Sequence, residues 1–234
     1  MLRYLSVFLT VFQLSSCAEL QQVVNNLPQV ESYTPDIVSG LREALNLGID
    51  KQVTKLTQKD GFFKNESVKI LLPEELRKVD KALRDIGLSR LADDGLKILN
   101  RAAEDAVKEA TPIFISAVKD ITFDDAKTIL LGNDSAATEY LTSKTQAALY
   151  QKFQPVIENS FSKVGADKIW SNLIQKYNSL PFTKSVNTNL TDYVTTEALK
   201  GVYKMIAVEE TQIRTKVSSR STDLLRRVFA IQDE

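Results

Sequence analysis

Apolar residues recur every three or four positions along most of this chain, which is the spacing that places them on one face of an α-helix. The first long example opens at Pro35-Asp36 and its stripe consists of Ile37, Leu41, Ala44, Leu45, Gly48, Ile49, Val53 and Leu56. One stretch departs from this period: near residues 67–72, Val, Ile and Leu occupy every second position, which predicts a short extended segment. The remaining pattern predicts an all-α fold, a single irregular bundle of about eight to ten helices.

Glycine, proline and capping residues divide the apolar stripes into separate helices. Gly87 should end the second helix, and the prolines at 112 and 155 should break or interrupt the helices in which they fall. Thr122 followed by Asp125 has the spacing of a capping box, in which the side chain of each residue binds the backbone N–H of the other. A short helix is therefore expected to begin directly after Thr122.

The start of the chain follows a different pattern. Arg3 is followed by an apolar run from Tyr4 to Leu14 and then by Ser15-Ser16-Cys17. A basic start, a short apolar run and small residues before a cysteine resemble the bacterial lipoprotein signal, in which the cysteine carries diacylglycerol after cleavage. A run of about eleven residues is too short for a transmembrane helix, which needs about twenty.

This pattern divides the chain into three parts. Residues 1–16 are predicted to be a lipoprotein signal peptide, residues 17–35 a lipidated N-terminus and tether, and residues 36–234 an all-α domain. Lipid on Cys17 makes membrane lipid the first predicted partner and places the protein in the bacterial cell envelope. Ala18 after Cys17, in place of Asp, favours the outer membrane by the sorting pattern of enteric bacteria, so we predict an outer-membrane lipoprotein. An ordinary secretory signal with an incidental cysteine is the alternative. A short amphipathic helix inside the tether also fits the sequence.

The composition excludes several kinds of chemistry. The chain contains no histidine and one cysteine, Cys17. It therefore lacks the residues for a Ser-His-Asp triad, a Cys-His nucleophile, a zinc site of Cys and His, or an internal disulfide. Lys plus Arg and Asp plus Glu number 30 each, so no net field favours nucleic acid. We predict no cofactor, metal site or catalytic residue, and the sequence leaves the oligomeric state open.

Polar residues on otherwise apolar helix faces are the remaining candidates for a site. Glu209 lies on such a face, and a buried carboxylate needs a partner, for which Arg101 is the first candidate. Local pairs are also predicted for Glu210 with Arg214 and for Arg101 with Asp105, because each pair has i, i+4 spacing. The candidate set, which forms either a salt-bridge network or a polar pocket, is Asn100, Arg101, Glu104, Glu209, Glu210 and Arg214.

Three functions fit these residues. The one we favour is noncatalytic binding or scaffolding in an envelope assembly, with the predicted loop aromatics Phe62 and Phe63 as exposed docking residues for an outer-membrane protein complex. A second is a carboxylate-dependent hydrolase of envelope glycan, which would need a pair of acidic side chains flanking the scissile bond. The third is a carrier that encloses an apolar ligand in a cavity of the bundle.

A family resemblance extends along the body of the chain. The residues that carry it include Phe62 with Asn65, Val68-Lys69-Ile70, Leu72-Pro73, Leu91-Ala92-Asp93-Asp94, Asn100-Arg101-Ala102-Ala103-Glu104, Asp192-Tyr193-Val194-Thr195, Glu209-Glu210, Ile213-Arg214 and Arg220-Ser221-Thr222-Asp223-Leu224-Leu225. Together they resemble the bacterial family called domain of unknown function 4197, over residues 36–230. The resemblance implies an envelope lipoprotein or secreted protein of Gram-negative bacteria and implies no activity.

Overall fold

The computed structural model describes residues 34–85, 87, 89–166, 168, 171, 175 and 189–233. The predicted signal peptide, the predicted lipid attachment at Cys17 and the predicted tether before residue 34 lie outside these residues.

Eight α-helices and no strand are present in the described residues, which confirms the predicted all-α class. The helices are α1 (Thr34–Thr57), α2 (Glu74–Asp85), α3 (Ser89–Val107), α4 (Ala110–Lys119), α5 (Phe123–Leu130), α6 (Ala136–Lys163), α7 (Leu190–Thr215) and α8 (Asp223–Phe229). Short 3-10 helices follow α7 at Val217–Ser219 and α8 at Ala230–Gln232. Among the described helices, none combines the length and apolar character that crossing a bilayer requires.

The centre of the core lies between α3, α6 and α7, because α6 packs along both of the other two helices. The buried face of α6 repeats every four residues at Leu149, Phe153, Ile157 and Phe161. The faces that α3 and α7 bury carry many small side chains, among them Ala102, Ala103, Ala106 and Ala198. Small residues on one helix allow the bulky residues of the next to approach its backbone closely.

Neither of the two prolines that were expected to break a helix does so. α6 runs without interruption through Pro155, because the proline is exposed while Phe153 and Ile157 on the opposite face are fully buried. Packing of that face offsets the lost backbone hydrogen bond. Pro112 lies in the first turn of α4, where no intrahelical N–H is required, and the chain breaks earlier, between α3 and α4.

The helix ends predicted from glycine and capping residues are confirmed. Thr122 and Asp125 form the reciprocal capping box at the start of α5, and these hydrogen bonds lower the pKa of the Asp125 carboxyl. Gly87 follows α2 with φ of +82°, in the left-handed region that glycine adopts without strain.

The segment near residues 67–72 is not a strand in the structure. It consists of a turn followed by irregular backbone, and the partner of that backbone is a side chain. Asn100 on α3 accepts the N–H of Ile70 at 2.8 Å and donates to its carbonyl oxygen at 2.9 Å. One amide thus satisfies both backbone groups that a neighbouring strand would otherwise bind. The alternation in sequence reflects burial of Val68, Ile70 and Leu72 beneath α3 and α7, not a sheet.

Candidate functional site

The six polar residues predicted as one network or pocket are divided among separate places in the structure. Asn100 holds the irregular segment described above. Arg101 and Glu104, together with Asp60, form what we call the loop cluster, at the turn after α1. Glu210 and Arg214, together with Thr138, form the junction cluster, between α5 and α6. Glu209 faces α1.

The loop cluster fixes the turn that follows α1. The Glu104 carboxylate accepts the backbone N–H of Asp60 at 3.3 Å and that of Phe62 at 3.2 Å, and Arg101 donates to it at 2.5 Å. A second nitrogen of Arg101 donates to Asp60 at 2.9 Å. Asp60 has φ of +67°, an uncommon conformation outside glycine. The hydrogen bond from Lys64 lowers the pKa of the Asp60 carboxyl, with Arg101 also contributing.

The same turn places Phe62 inside the molecule, so the expectation that Phe62 is an exposed docking residue is wrong. Its side chain is 0% exposed and lies against Gly201 on α7, where an added Cβ would be 2.8 Å from the ring. The neighbouring Phe63 is partly exposed, with the ammonium groups of Lys69 and Lys97 at 5.0 and 5.8 Å from its ring centre. Of these two adjacent aromatic residues, Phe62 therefore belongs to the core and Phe63 to the surface.

The junction cluster caps two helices at once. Ser135 makes no side-chain cap at the start of α6; instead, Glu210 on α7 accepts the N–H groups of Ala137 and Thr138, both at 2.8 Å, and the Thr138 hydroxyl at 2.7 Å. Arg214 pairs with Glu210 at 2.9 Å, which confirms that prediction. The negative group thereby faces the N-terminal end of α6, where the helix dipole favours it.

The guanidinium of Arg214 completes the junction from the other side. It donates to the carbonyl oxygen of Ile129 at 2.8 Å and to that of Leu130 at 3.3 Å, at the C-terminal end of α5. The last carbonyls of a helix lack the usual partners within it; the Ile129 carbonyl also accepts the Gly132 N–H at 3.3 Å, and the Leu130 carbonyl accepts the Gln232 side chain at 2.7 Å. The buried ion pair therefore joins the end of α5 to the start of α6.

Glu209 has partners other than the one expected. Its carboxylate accepts from Lys51 at 2.6 Å and from Gln52 at 2.7 Å, both on α1. The predicted pairing of Glu209 with Arg101 is wrong because Arg101 is bound to the loop cluster. The predicted pair of Arg101 with Asp105 is wrong as well: Asp105 accepts from Lys108 and from Ser160 on α6.

A small cavity lies beside the two acidic residues of α7. It measures about 20 Å³ and is lined mainly by apolar side chains of α1 and α7, with Glu209, Glu210 and Arg214 at its edge. A space of this size holds about one water molecule, whereas ligand pockets measure a few hundred cubic ångströms or more.

Arg220 is a buried polar residue that the sequence reasoning did not select. It is 1% exposed and caps the C-terminal end of α7 by donating to the carbonyls of Ile213 and Arg214, both at 3.0 Å. It also binds the Asp233 carboxylate with two nitrogens, at 2.6 and 2.7 Å, which lowers the pKa of Asp233. The sequence does contain a signal for this role, because Arg220 lies between the end of α7 and the Thr222 cap of α8, where a basic side chain can bind the last carbonyls of a helix.

A groove open to solvent lies next to the junction cluster. We call it the surface groove; it measures about 700 Å³ and is lined by the α5–α6 connection and by the chain after α7. Its exposed aliphatic side chains are Leu131 at 60%, Val217 at 53% and Ile231 at 53%. These are three of the four most exposed large hydrophobic side chains in the described residues. Asp134 and Gln232 supply polar groups to the same groove.

These features define an all-α bundle whose buried polar residues hold loops and helix ends, with a solvent-open groove on its surface that carries exposed aliphatic side chains. The chain belongs to the DUF4197 family, described as proteins of unknown function, whose model matches residues 32–230. This confirms the resemblance given by the sequence motifs. No curated protein and no solved structure matches the chain.

Proposed function

We propose that this chain is a lipid-anchored, noncatalytic binding protein of the bacterial envelope, attached to the outer membrane through Cys17 and docking onto a partner through the surface of its helical body. The observation that carries the noncatalytic part is that each predicted polar candidate is engaged in holding a loop, a helix end or a neighbouring helix. The anchor rests on the sequence Leu14-Ser15-Ser16-Cys17.

The hydrolase alternative gains no support from Glu209 and Glu210, the two buried acidic residues of α7. A glycosidase needs one carboxyl group that exchanges a proton with substrate and a second that acts as base or nucleophile. Both oxygens of Glu210 already accept two hydrogen bonds each within the protein. Each oxygen of Glu209 accepts from a side chain of α1. Neither carboxylate is placed to meet a substrate without first breaking the contacts that hold its helix.

The carrier alternative gains no support from the cavity beside Glu209 and Glu210. A lipid or a comparable apolar ligand needs at least about 300 Å³, and this cavity provides about 20 Å³. The structure offers more room at its surface than at this interior site, which favours docking over enclosure.

Catalysis is tested by incubating the purified full chain with peptidoglycan and analysing the supernatant for released fragments. We expect none above the level of buffer. Fragments that appear with the wild type and disappear with Glu209→Gln would contradict the noncatalytic assignment.

The anchor is tested by phase partitioning of the protein from its native membrane in a detergent that separates on warming. The wild-type chain should enter the detergent phase, because acyl chains on Cys17 insert into detergent micelles as they do into a membrane. The Cys17→Ser variant cannot carry these chains and should stay in the aqueous phase. A wild-type protein that stays in the aqueous phase with an unmodified thiol would contradict lipid attachment.

A further inference from the structure

We propose that the surface groove binds a protein segment in which aliphatic side chains alternate with lysine or arginine. This inference rests on the proposed binding function and assigns it a site and a partner chemistry. The groove has two features that a partner could cover: exposed aliphatic side chains and hydrogen-bond acceptors that have no partner among the described residues.

The apolar part of the groove is unusually exposed. Leu131, Val217 and Ile231 come from three separate places in the chain, the end of α5, the 3-10 helix after α7 and the segment after α8. Three strongly exposed aliphatic side chains from remote parts of the chain thus line one groove, which makes this surface a candidate for contact with a partner.

The polar groups that remain available in the groove are acceptors. The side-chain nitrogen of Gln232 donates to the Leu130 carbonyl at 2.7 Å, which leaves its oxygen buried with no partner among the described residues. Asp134 is exposed on the rim, and its side chain makes no hydrogen bond or ion pair with another described residue. The groove's own cation, Arg214, directs its nitrogens to Glu210 and to backbone carbonyls.

The excess of acceptor groups over free donors indicates which kind of partner fits the groove. The unpaired carboxylate on the rim favours a cation. The Gln232 oxygen has no exposed surface, so it accepts a partner's N–H only when its side chain turns toward the groove. Anionic headgroups would meet Asp134 and Asp233 instead of a free cation. A peptide with apolar and basic side chains supplies both needs, and about 700 Å³ is room for a short stretch of it.

A second groove of similar size provides a comparison within the same molecule. It lies between α4 and α6, measures about 660 Å³, and carries Glu109 and Asp120 together with Lys144 and Lys152. Its charges are balanced, and no unpartnered buried acceptor of the described residues lies in it. Of these two grooves in the described residues, the surface groove is the one that has strongly exposed aliphatic side chains and no lysine in its lining.

The test uses the full chain in non-ionic detergent and a short fluorescent peptide that alternates leucine and lysine, with leucine–glutamate and serine–lysine peptides as comparisons. We expect the leucine–lysine peptide to bind the wild type at least about tenfold more tightly than either comparison peptide. The double variant Leu131→Ser/Ile231→Ser should lose at least about tenfold in affinity. Asp134→Lys should weaken the leucine–lysine peptide and strengthen the leucine–glutamate peptide.

Two matched variants serve as controls. Val164 is 55% exposed and follows α6 as Leu131 follows α5, at the far end of a helix roughly 40 Å long. Val164→Ser should therefore leave binding unchanged. Glu158→Lys changes charge as Asp134→Lys does, on an exposed position near the same far end, and should also leave binding unchanged.

Four results would overturn the proposal. They are no binding of the leucine–lysine peptide, equal binding of the leucine–glutamate or serine–lysine peptide, equal losses in the control variants, and a wild-type dimer in sedimentation that Leu131→Ser dissociates. The last result would assign the groove to a second copy of the chain. If Leu131→Ser fails to fold, the reversal of charge preference by Asp134→Lys still decides. None of these measurements involves peptidoglycan or Cys17. A negative result would therefore reject the groove as a binding site without rejecting the proposed lipid anchor or the noncatalytic assignment.

Discussion

The junction cluster and the surface groove share Arg214 but have opposite characters. In the junction cluster, Glu210 and Arg214 meet backbone groups at two helix ends, and their hydrogen-bonding capacity is largely used. In the groove, Leu131 and Ile231 face solvent and the Gln232 oxygen lacks a partner among the described residues. A buried ion pair with satisfied neighbours holds structure, whereas a groove with exposed aliphatic side chains and an unpaired carboxylate is suited to a partner. Burial and hydrogen bonding, not residue type, separate the two roles.

The largest expected effect breaks the junction cluster. Glu210→Ala should lower the free energy of unfolding by roughly 3–5 kcal/mol, because it leaves the Arg214 guanidinium buried without its charge partner and removes the cap of α6. Urea unfolding followed by circular dichroism measures the change.

A matched control lies on the same helix. Glu197 pairs with Lys200 at the surface, 31% and 67% exposed, so Glu197→Ala should cost less than about 1 kcal/mol. Equal losses for the two variants would show that the junction cluster is no more important than an ordinary surface pair.

The next effect compares a filled space with an open one. Gly201→Ala places a Cβ 2.8 Å from the Phe62 ring and should destabilise by roughly 1–3 kcal/mol. Gly48→Ala, beside the small cavity, meets Glu209 no closer than 3.4 Å and should stabilise by up to about 1 kcal/mol, because alanine favours helix. Thermal denaturation of both variants measures the difference. If both substitutions stabilise, the close packing of Phe62 on α7 is wrong.

A smaller effect depends on pH at the edge of the groove. The Arg220 hydrogen bonds hold the pKa of Asp233 below its ordinary value, so the unfolded chain takes up a proton at this group before the folded chain does. The stability it contributes is present above about pH 4 and is lost as pH falls through the lowered pKa. The difference in urea midpoint between wild type and Asp233→Asn should therefore shrink below about pH 4. A difference that stays constant with pH would exclude this linkage.

The smallest effect belongs to the groove itself. Leu131→Ser should change the free energy of unfolding by no more than about 0.5 kcal/mol, because the side chain is largely exposed before the substitution. The same urea titration that detects Glu210→Ala measures it. A loss as large as that of Glu210→Ala would mean that the groove is part of the structural core.

The helical pattern predicted the fold class because each stripe records which face is buried, and local signals such as the Thr122–Asp125 box predicted a helix start. The features that the sequence predicted wrongly depend on contacts between residues far apart in the chain. Pro155 remains inside α6 because Phe153 and Ile157 pack on α3 and α7, and Phe62 is buried because Glu104 binds the turn beside it.

Within the candidate site, the residue types were predictable and their partners were not. Spacing predicted the pair of Glu210 with Arg214, since both lie on one helix. The partners of Glu209 and Arg101 lie 158 and 41 residues away, at Lys51 and Asp60. No local pattern encodes such separations, and the surface groove likewise combines three remote parts of the chain.

The most direct measurement is a map of backbone amide chemical shifts in the folded chain as the leucine–lysine peptide is added. We expect the shift changes to concentrate at Leu131, Asp134, Val217, Ile231 and Gln232, and the amides of Asp60 and Lys51 to stay unchanged. Changes centred instead on Asp60 and Phe62, or on Lys51 and Gln52, would show that the polar clusters bind the partner and that the groove does not.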